Sequence, residues 1–499
     1  WSSDVCSSDL TELPTIGVLQ VLVCIALTVL VGVVTWMKVR GAGPRHGGSG
    51  KEVFLAGGGL TWPFVAGSIT LTNLSTDQLV GMNGNQMLLL AWWEIAGFFG
   101  LMTLAFVFVP VYYRNNCTTV TELLERRYGG RSIRTLISGL FLFGNVVIYL
   151  PAALYSGSLF MRSLFGTELP LLFFAALLAV VSAAYTVFGG LRAVAVMDTF
   201  SGIGVLGLAL VIVFLALAAV GFDIVSGVPP ERLTMIGGDD SPIPWHTLLT
   251  GMVFIQVFYW STNQNITQKA MAAPTVREAQ KGVLAAAAIR ILIIPPIVVI
   301  PGVVAYKLFG DVGDAAYGRL VAEVLPGWLA GAFAAMVAAA VITTFSAVLN
   351  STVALYSVDF HERFVGKVAD HWRLGALVSV IVTAVAVALV PVFQDADSII
   401  NLLQQLNGLF SMPILSAFIV GLLFRHVAAR AAIFGVLWGF GIYAAYTFVW
   451  QPQGVITLHY IHFMVVVLVS SVVAALVCNR MLGQRERWIG FADIRGPAT

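Results

Sequence analysis

The sequence predicts an all-α polytopic membrane protein with about thirteen transmembrane helices, on three observations. Hydrophobic residues make up 59% of the 499 residues and charged residues 10%, with a mean hydropathy of +0.90, whereas a soluble domain has roughly 25% charged residues. The apolar runs approach the roughly 20 residues that cross a bilayer as a helix, and they lack the alternation of barrel strands. The basic residues are segregated between alternate loops. A net charge of +2 predicts no nucleic-acid partner.

The hydrophobic runs define the predicted spans and their orientation. With the N-terminus outside, four of the 27 Lys and Arg residues fall in external loops (Arg162, Arg232, Lys307 and Arg319) and Arg290 falls within a span, which leaves 22 on the cytoplasmic side. This distribution follows the positive-inside rule and predicts a multi-pass protein of the cell (inner) membrane. The thirteen spans are 14–36, 60–81, 88–112, 135–161, 168–189, 195–220, 245–267, 283–306, 326–358, 374–394, 398–424, 431–450 and 460–482.

The spans group into segments with different expected roles. Residues 1–10 lack membrane character and an initiator Met, and are interpreted as a non-native remnant. Two five-span halves begin on opposite sides of the membrane, because an odd number of spans separates equivalent positions; this is inverted-repeat topology. The other predicted segments are a first flanking helix and cytoplasmic linker at 11–59, the halves at 60–220 and 245–424, and C-terminal flanking helices with a cytoplasmic tail at 425–499.

Each half opens with a polar interruption in an apolar span. The first is Asn73-Leu-Ser-Thr-Asp-Gln78 and the second is Tyr259-Trp-Ser-Thr-Asn-Gln264. Paired broken helices expose backbone carbonyls and helix ends to a solute and a coupling ion near the middle of the membrane. The pairing predicts a secondary transporter.

Four ionisable residues lie within the predicted spans: Asp77, Glu94, Asp198 and Arg290. Such groups are costly in a bilayer and usually face a cavity or a partner. Glu94 and Arg290 could form opposite hydrogen-bonding walls of a polar solute site, one only accepting and the other only donating. The alternatives left open are that Arg290 extends toward the interface and that Glu94 pairs with a neighbouring helix.

Thr343 and Thr344 form a second polar feature in the span 326–358. Being adjacent, they point about 100° apart on a helix. Their hydroxyls could bond to carbonyls one turn earlier, as is common in membrane helices. They could also bind a small hard cation together with carbonyls freed by the break at residues 71–74.

Seven ordered motifs between residues 50 and 425 resemble the sodium/solute symporter family. The resemblance is strongest to its sodium/sugar branch (sodium/galactose-like and YidK-type). The motifs are Phe54-Leu-Ala-Gly-Gly-Gly, Asn73-Leu-Ser-Thr-Asp-Gln, Gly81-Met, Gly189-Gly-Leu-Arg-Ala, Tyr259-Trp-Ser-Thr-Asn-Gln, Glu278-Ala-Gln-Lys-Gly and Leu349-Asn-Ser-Thr.

The resemblance implies a LeuT-type five-plus-five inverted repeat and sodium-driven uptake by alternating access. It implies Tyr259 as the inner gate, Asn73 as its bonding partner and Asp198 on the sodium exit path. The implied sodium ligands are the carbonyls of Leu71, Leu74 and Ala340 and the hydroxyls of Thr343 and Thr344. The implied solute contacts are Gln78, Glu94, Gln256, Tyr259, Arg290 and Gln404.

The sequence therefore predicts a symporter that brings a sugar or related polyol, together with sodium, across the lipid bilayer. Arg290 also suits a carboxylate, so uptake of an organic anion such as a sialic or uronic acid is the alternative. A proton as coupling ion also remains open. A membrane enzyme is not expected, because the spans contain no recognisable catalytic constellation. A channel or sensor could share the architecture without coupling.

Overall fold

The computed structural model describes residues 18–39, 59–368, 370–394 and 398–489, and it is mostly helical. Two-residue strands β1 (Phe424–Arg425) and β2 (Arg487–Trp488) pair antiparallel. The predicted segment 1–10 and the motif that begins at Phe54 lie outside the described residues. The helices are α1 (Val18–Val39), α2 (Trp62–Asn73), α3 (Thr76–Gly84), α4 (Leu88–Arg114), α5 (Val120–Tyr128), α6 (Arg131–Phe165), α7 (Leu171–Ala219), α8 (Pro230–Leu233), α9 (Gly251–Ser261), α10 (Gln264–Met271), α11 (Val276–Phe309), α12 (Ala316–Val324), α13 (Gly327–Phe364), α14 (His371–Phe393), α15 (Ile399–Leu423), α16 (Ala429–Trp450) and α17 (Tyr460–Met481).

All thirteen predicted spans coincide with helices. Within the described ranges, ten helical stretches are long and apolar enough to cross a membrane. The other three predicted spans correspond to α1 and to two broken helices, which are α2 with α3 and α9 with α10. A single large core joins these elements, and exposed Leu, Val and Phe side chains on α1, α7, α14 and α17 face outward. The chain is a multi-pass membrane protein.

Helix α7 contains two spans, Leu171–Phe188 and Gly202–Ala219, although its backbone is helical throughout. The Ser182 carbonyl accepts a hydrogen bond from Ser346, and Gly204 lies against Met336. A straight helix would separate Ser182 from Gly204 by about 33 Å, whereas Met336 and Ser346 lie about 15 Å apart on α13. The two spans therefore do not lie along one straight helix axis.

Polar residues lie at the two helix breaks, close to the predicted positions. Between α2 and α3, only Leu74 and Ser75 leave the helical conformation, and Ser75 has the extended backbone of an N-cap. Between α9 and α10, the side chain of Asn263 accepts from the backbone N–H of Asn265 at 2.9 Å. Hydroxyl and amide side chains offer the backbone such local alternatives to a continuing helix.

The end of α3 predicted to face outside packs tightly against its neighbours. A Cβ atom added to Gly84 would lie 2.4 Å from Asp314 Oδ1 and 2.8 Å from Asp314 Cα. Asp314 Oδ2 accepts from the backbone N–H of Ile399 at 3.0 Å, at the start of α15. Burial raises the pKa of Asp314 to about 6, an effect that the Ile399 N–H opposes. This side of the first broken helix is closed in the structure.

Replacing Gly84 with alanine is expected to lower the stability of this closed form by about 1–3 kcal/mol, the usual cost of overpacking. The added methyl group would meet backbone atoms of Asp314, which cannot rotate away. Thermal unfolding of the purified protein in detergent measures the loss. Gly207→Ala is the matched control, because a Cβ atom added to Gly207 would have nothing within 4 Å. Equal unfolding temperatures for the two variants would contradict the close approach.

Candidate solute and sodium site

A cavity of about 80 Å³ lies where the two broken helices meet α4, α6 and α15. This volume has room for several water molecules, at about 10–15 Å³ for one. Five of the gate and solute-contact residues implied by the family resemblance line it: Asn73, Gln78, Gln256, Tyr259 and Gln404. The remaining lining residues are Asp77, Trp93, Tyr149, Ile255, Phe258, Trp260, Ile400, Leu403 and Asn407.

Glu94 and Arg290 form a buried ion pair beside this cavity and are not among its lining residues. Their side chains are 0% and 1% exposed, and Arg290 Nη2 donates to Glu94 Oε2. Arg290 therefore does not extend toward the interface, and Glu94 pairs across to α11. Because each group neutralises the other, direct contact of either with a solute remains a prediction.

Arg290 also connects the two sides of the first helix break. Its Nη1 donates to the carbonyl of Thr70 at 3.2 Å, and its Nη2 lies 3.4 Å from Gln78 Oε1. Its guanidinium stands 4.8 Å from the ring centre of Trp260. Gln78 in turn donates to Glu94 Oε1 at 2.8 Å. The ion pair thus holds together the end of α2, the start of α3 and the second broken helix.

The cavity amides are oriented by their neighbours. Gln256 Nε2 donates to the Trp93 carbonyl at 2.7 Å, and Gln256 Oε1 accepts from Trp260 Nε1 at 2.9 Å. Gln404 Oε1 accepts from Asn407 Nδ2 at 3.0 Å, so the Gln404 amide nitrogen remains a donor that can be offered to the cavity.

Asn407 Oδ1 accepts a hydrogen bond from the Tyr149 hydroxyl. Tyr149 ends a π-helical turn, Asn145–Tyr149, within α6; such turns often occur at functional sites. Neither Tyr149 nor Asn407 belongs to the site predicted from the sequence. A tyrosine and an asparagine inside apolar spans were the available signal.

Tyr259 and Asn73 lie in contact, as the resemblance implies. The Tyr259 hydroxyl is 2.5 Å from the Asn73 side-chain amide. When the amide nitrogen faces that hydroxyl, Asn73 Oδ1 accepts from Arg290 at 2.6 and 3.1 Å and from Gln78 at 3.3 Å. That orientation satisfies both amide atoms. The contact joins the two broken helices, while gating by Tyr259 remains a prediction.

Tyr259→Phe is expected to shift the protein toward the inward-open form by roughly threefold to tenfold, because one hydrogen bond contributes about 0.5–1.5 kcal/mol. The measurement is the rate at which an impermeant thiol reagent, added from the cytoplasmic side, labels a cysteine at position 404. The four cysteines of the chain are first replaced by serine.

Tyr446→Phe is the control for this variant. It removes a comparable hydroxyl, which donates to the Leu458 carbonyl at 2.7 Å outside the cavity. Labelling of Tyr259→Phe at the same rate as Tyr446→Phe would argue against gating by the contact between Tyr259 and Asn73.

The predicted sodium ligands lie on contacting elements. Ala340, Thr343 and Thr344 are buried on α13, which contacts both α2 and α3. Thr343 Oγ1 donates to the Ala340 carbonyl at 3.1 Å, so the bonding to an earlier carbonyl is present and leaves oxygen lone pairs for a cation.

The helix break supplies the other predicted sodium ligands. Leu74 follows the last residue of α2, where carbonyls have no helical donor. The side chains of Leu71 and Asp198 lie outside the described residues. Sodium binding by this set remains a prediction.

Comparison with known proteins identifies the family. Residues 53–439 match the sodium:solute symporter family. The chain belongs to that family. It is 36% identical over 448 residues to the uncharacterized symporter YidK of Escherichia coli (strain K12), covering 85% of this chain and 77% of that one. It is 27% identical to the sodium/glucose cotransporter of Vibrio parahaemolyticus, covering 83% and 82% of the two chains.

A solved structure supports the fold of this symporter. A Na+-coupled sialic acid symporter in a substrate-bound outward-open state superimposes with a TM-score of 0.76 at 16% identity. The match covers 95% of this chain and all of the other. Such a likeness shows the fold, the LeuT-type five-plus-five repeat, and confirms the architecture predicted from sequence. As a member of this family, the protein is a sodium-coupled symporter.

Proposed function

We propose that this symporter imports a neutral sugar or related polyol together with sodium by alternating access. The sodium-coupled relatives support the coupling ion, and the sodium/glucose cotransporter among them supports the solute class.

The observation that carries the neutral-solute proposal is the chemistry of the cavity wall. Apart from the carboxyl group of Asp77, its polar groups are amides and hydroxyls, among them those of Gln78, Gln256, Gln404, Asn407 and Tyr259. Such groups both donate and accept, as the hydroxyls of a polyol do. Trp93, Phe258 and Trp260 add aromatic surface, and apolar walls with a few oriented polar groups are typical of small-molecule sites.

Uptake of a sialic or uronic acid is the second candidate, suggested by Arg290. The sialic acid symporter shares the fold, but fold likeness at 16% identity does not assign a solute. Arg290 already donates to Glu94 and does not line the cavity, whereas the carboxylate of Asp77 does. Because Arg290 is already paired and an acidic side chain lines the cavity, an anionic solute is disfavoured.

We further propose that sodium bridges the first broken helix and α13, through the carbonyls of Leu71, Leu74 and Ala340 and the hydroxyls of Thr343 and Thr344. Neutral oxygens suit a small hard cation, and sodium would favour the form in which these elements are joined. The distribution of basic residues supports an N-terminus outside the cell.

Ligand-induced thermal stabilisation tests the solute class. A ligand that binds only the folded protein raises its stability by about 2.7 kcal/mol at 100 times its dissociation constant. Hexoses, inositols and sugar acids are compared in sodium and in choline. A neutral polyol should raise the unfolding temperature only with sodium, and Gln404→Ala should reduce the shift. Stabilisation by sugar acids alone would overturn the neutral-solute proposal.

A further inference from the structure

The short ribbon formed by β1 and β2 lies where three membrane spans end. β1 directly follows α15 and precedes α16, and β2 follows α17. Near the end of α17, the Asn479 side chain accepts from the Ala428 N–H at 2.9 Å and donates to the His426 carbonyl at 3.1 Å. The Ile489 N–H donates to the Leu423 carbonyl at 2.8 Å. The ribbon is therefore held against the membrane spans, on the side predicted to face the cytoplasm.

The register of this ribbon places two arginines opposite each other. Arg425 pairs with Arg487, and Phe424 pairs with Trp488. Directly opposed residues project from the same face of a ribbon, where like charges destabilise the pairing. Both arginines are exposed, and neither forms a salt bridge within the described ranges. The aromatic pair occupies the other face, with ring centres 5.1 Å apart, so the arginine face is left with two unbalanced positive charges.

A third arginine increases the positive charge at this place. Arg127 binds carbonyls at the end of α15. Burial and, after it, the nearby charge of Arg425 lower the pKa of Arg127, so the two cations are close enough to repel each other. The carboxylate of Glu486 is already 2.7 Å from Arg480. Within the described ranges, no carboxylate pairs with Arg127, Arg425 or Arg487, which we call the arginine cluster.

The chemistry of the arginine cluster suits a phosphate group. Each guanidinium presents several N–H donors in a planar fork that matches phosphate oxygens, and such charge-assisted hydrogen bonds are strong. A phosphate that contacts both strands would replace the repulsion between Arg425 and Arg487 with attraction to a shared anion. The ribbon would then be more stable with the anion than without it.

The surroundings of the ribbon favour a phospholipid as the source of that phosphate. Exposed apolar side chains lie beside it: Met481 and Leu482, at the end of α17, are 83% and 47% exposed, and Trp488 is 54% exposed. Tryptophan is enriched where headgroups meet acyl chains, and arginines next to the cytoplasmic end of a span attract anionic lipids. Inorganic phosphate has no apolar part that could contact these side chains.

We propose that the arginine cluster binds the headgroup phosphate of an anionic phospholipid in the leaflet predicted to be cytoplasmic. The bound lipid bridges Arg425 and Arg487 and holds β2 against the end of α15. This surface is separate from the solute cavity and from the proposed sodium site, and it does not depend on which solute is carried.

Lipid binding to the purified, delipidated full chain tests this surface. Native mass spectrometry in a neutral detergent measures the affinity for phosphatidylglycerol, with phosphatidylcholine of the same acyl chains as the zwitterionic comparison. Arg425→Gln combined with Arg487→Gln should weaken the tightest phosphatidylglycerol binding roughly tenfold to thirtyfold. Arg277→Gln combined with Arg373→Gln is the control, because it removes two exposed arginines elsewhere on the same predicted side and should keep the wild-type affinity.

Thermal unfolding separates lipid binding from a purely structural role of the arginines. Without lipid, the Arg425→Gln, Arg487→Gln variant should be at least as stable as the wild type, because a repulsion is removed. Phosphatidylglycerol should raise the unfolding temperature of the wild type more than that of this variant.

Four results would overturn the proposal. They are equal phosphatidylglycerol affinity in the wild type and the Arg425→Gln, Arg487→Gln variant, an equal loss of affinity in the control variant, a lower unfolding temperature of the Arg425→Gln, Arg487→Gln variant without lipid, and equal stabilisation of the wild type by inorganic phosphate at the same ionic strength.

Discussion

Replacing Glu94 with glutamine is expected to destabilise the protein by about 3–5 kcal/mol and to abolish solute uptake. Removing one partner of a buried ion pair leaves an uncompensated charge, which accounts for a loss of this size. Here the unpaired group would be Arg290, which also holds the Thr70 carbonyl at the helix break. Unfolding of the purified protein, followed by temperature or denaturant, measures the loss.

Two further variants show whether the effect comes from burial of the pair. Glu94→Gln combined with Arg290→Met should recover much of the stability, because an uncharged replacement of a buried pair is often neutral or stabilising. Glu278→Gln removes the carboxylate of a partly exposed pair, 3.0 Å from Lys281, and should cost much less stability, because water screens such a pair. Equal losses from Glu94→Gln and Glu278→Gln would contradict the structural role assigned to the buried pair.

Thr344→Ala is expected to raise the sodium concentration for half-maximal uptake about tenfold, which corresponds to about 1.4 kcal/mol of ion affinity. The change deletes one of the proposed hydroxyl ligands and leaves the helix backbone intact. Thr344→Ser keeps the oxygen and should retain most of the affinity. The measurement is initial uptake as a function of external sodium, with potassium replacing sodium to keep ionic strength constant.

Thr383→Ala is the matched control for Thr344→Ala. Both threonines are 8% exposed on membrane helices, but Thr383 lies on α14 and is not one of the proposed ligands. Its replacement should leave the sodium dependence unchanged. An unchanged half-saturating sodium concentration in Thr344→Ala would contradict the proposed sodium site.

The helix breaks were predictable because their cause is local. Ser75 and Asn263 are polar cap residues within apolar runs, and the sequence shows both directly. The contact between Tyr259 and Asn73 followed from the family resemblance, since 186 residues separate them and no local pattern connects them.

The sequence alone could not show which of the possible environments Glu94 and Arg290 adopt, or that they pair with each other. Each residue alone could face a cavity, a neighbour or the interface, and the choice depends on the rotation of α4 against α11. The same holds for Tyr149 and Asn407, whose contact joins α6 to α15. The sequence shows where polar residues lie along the chain, whereas tertiary packing determines which of them come into contact.

The most direct test of the account is uptake into proteoliposomes of a labelled panel of hexoses, inositols and sugar acids, with sodium or potassium outside. Accumulation of a neutral sugar or polyol above its external concentration, only under an inward sodium gradient, is the predicted result. Equilibration that does not depend on sodium would contradict symport, and accumulation of a sugar acid alone would contradict the neutral solute.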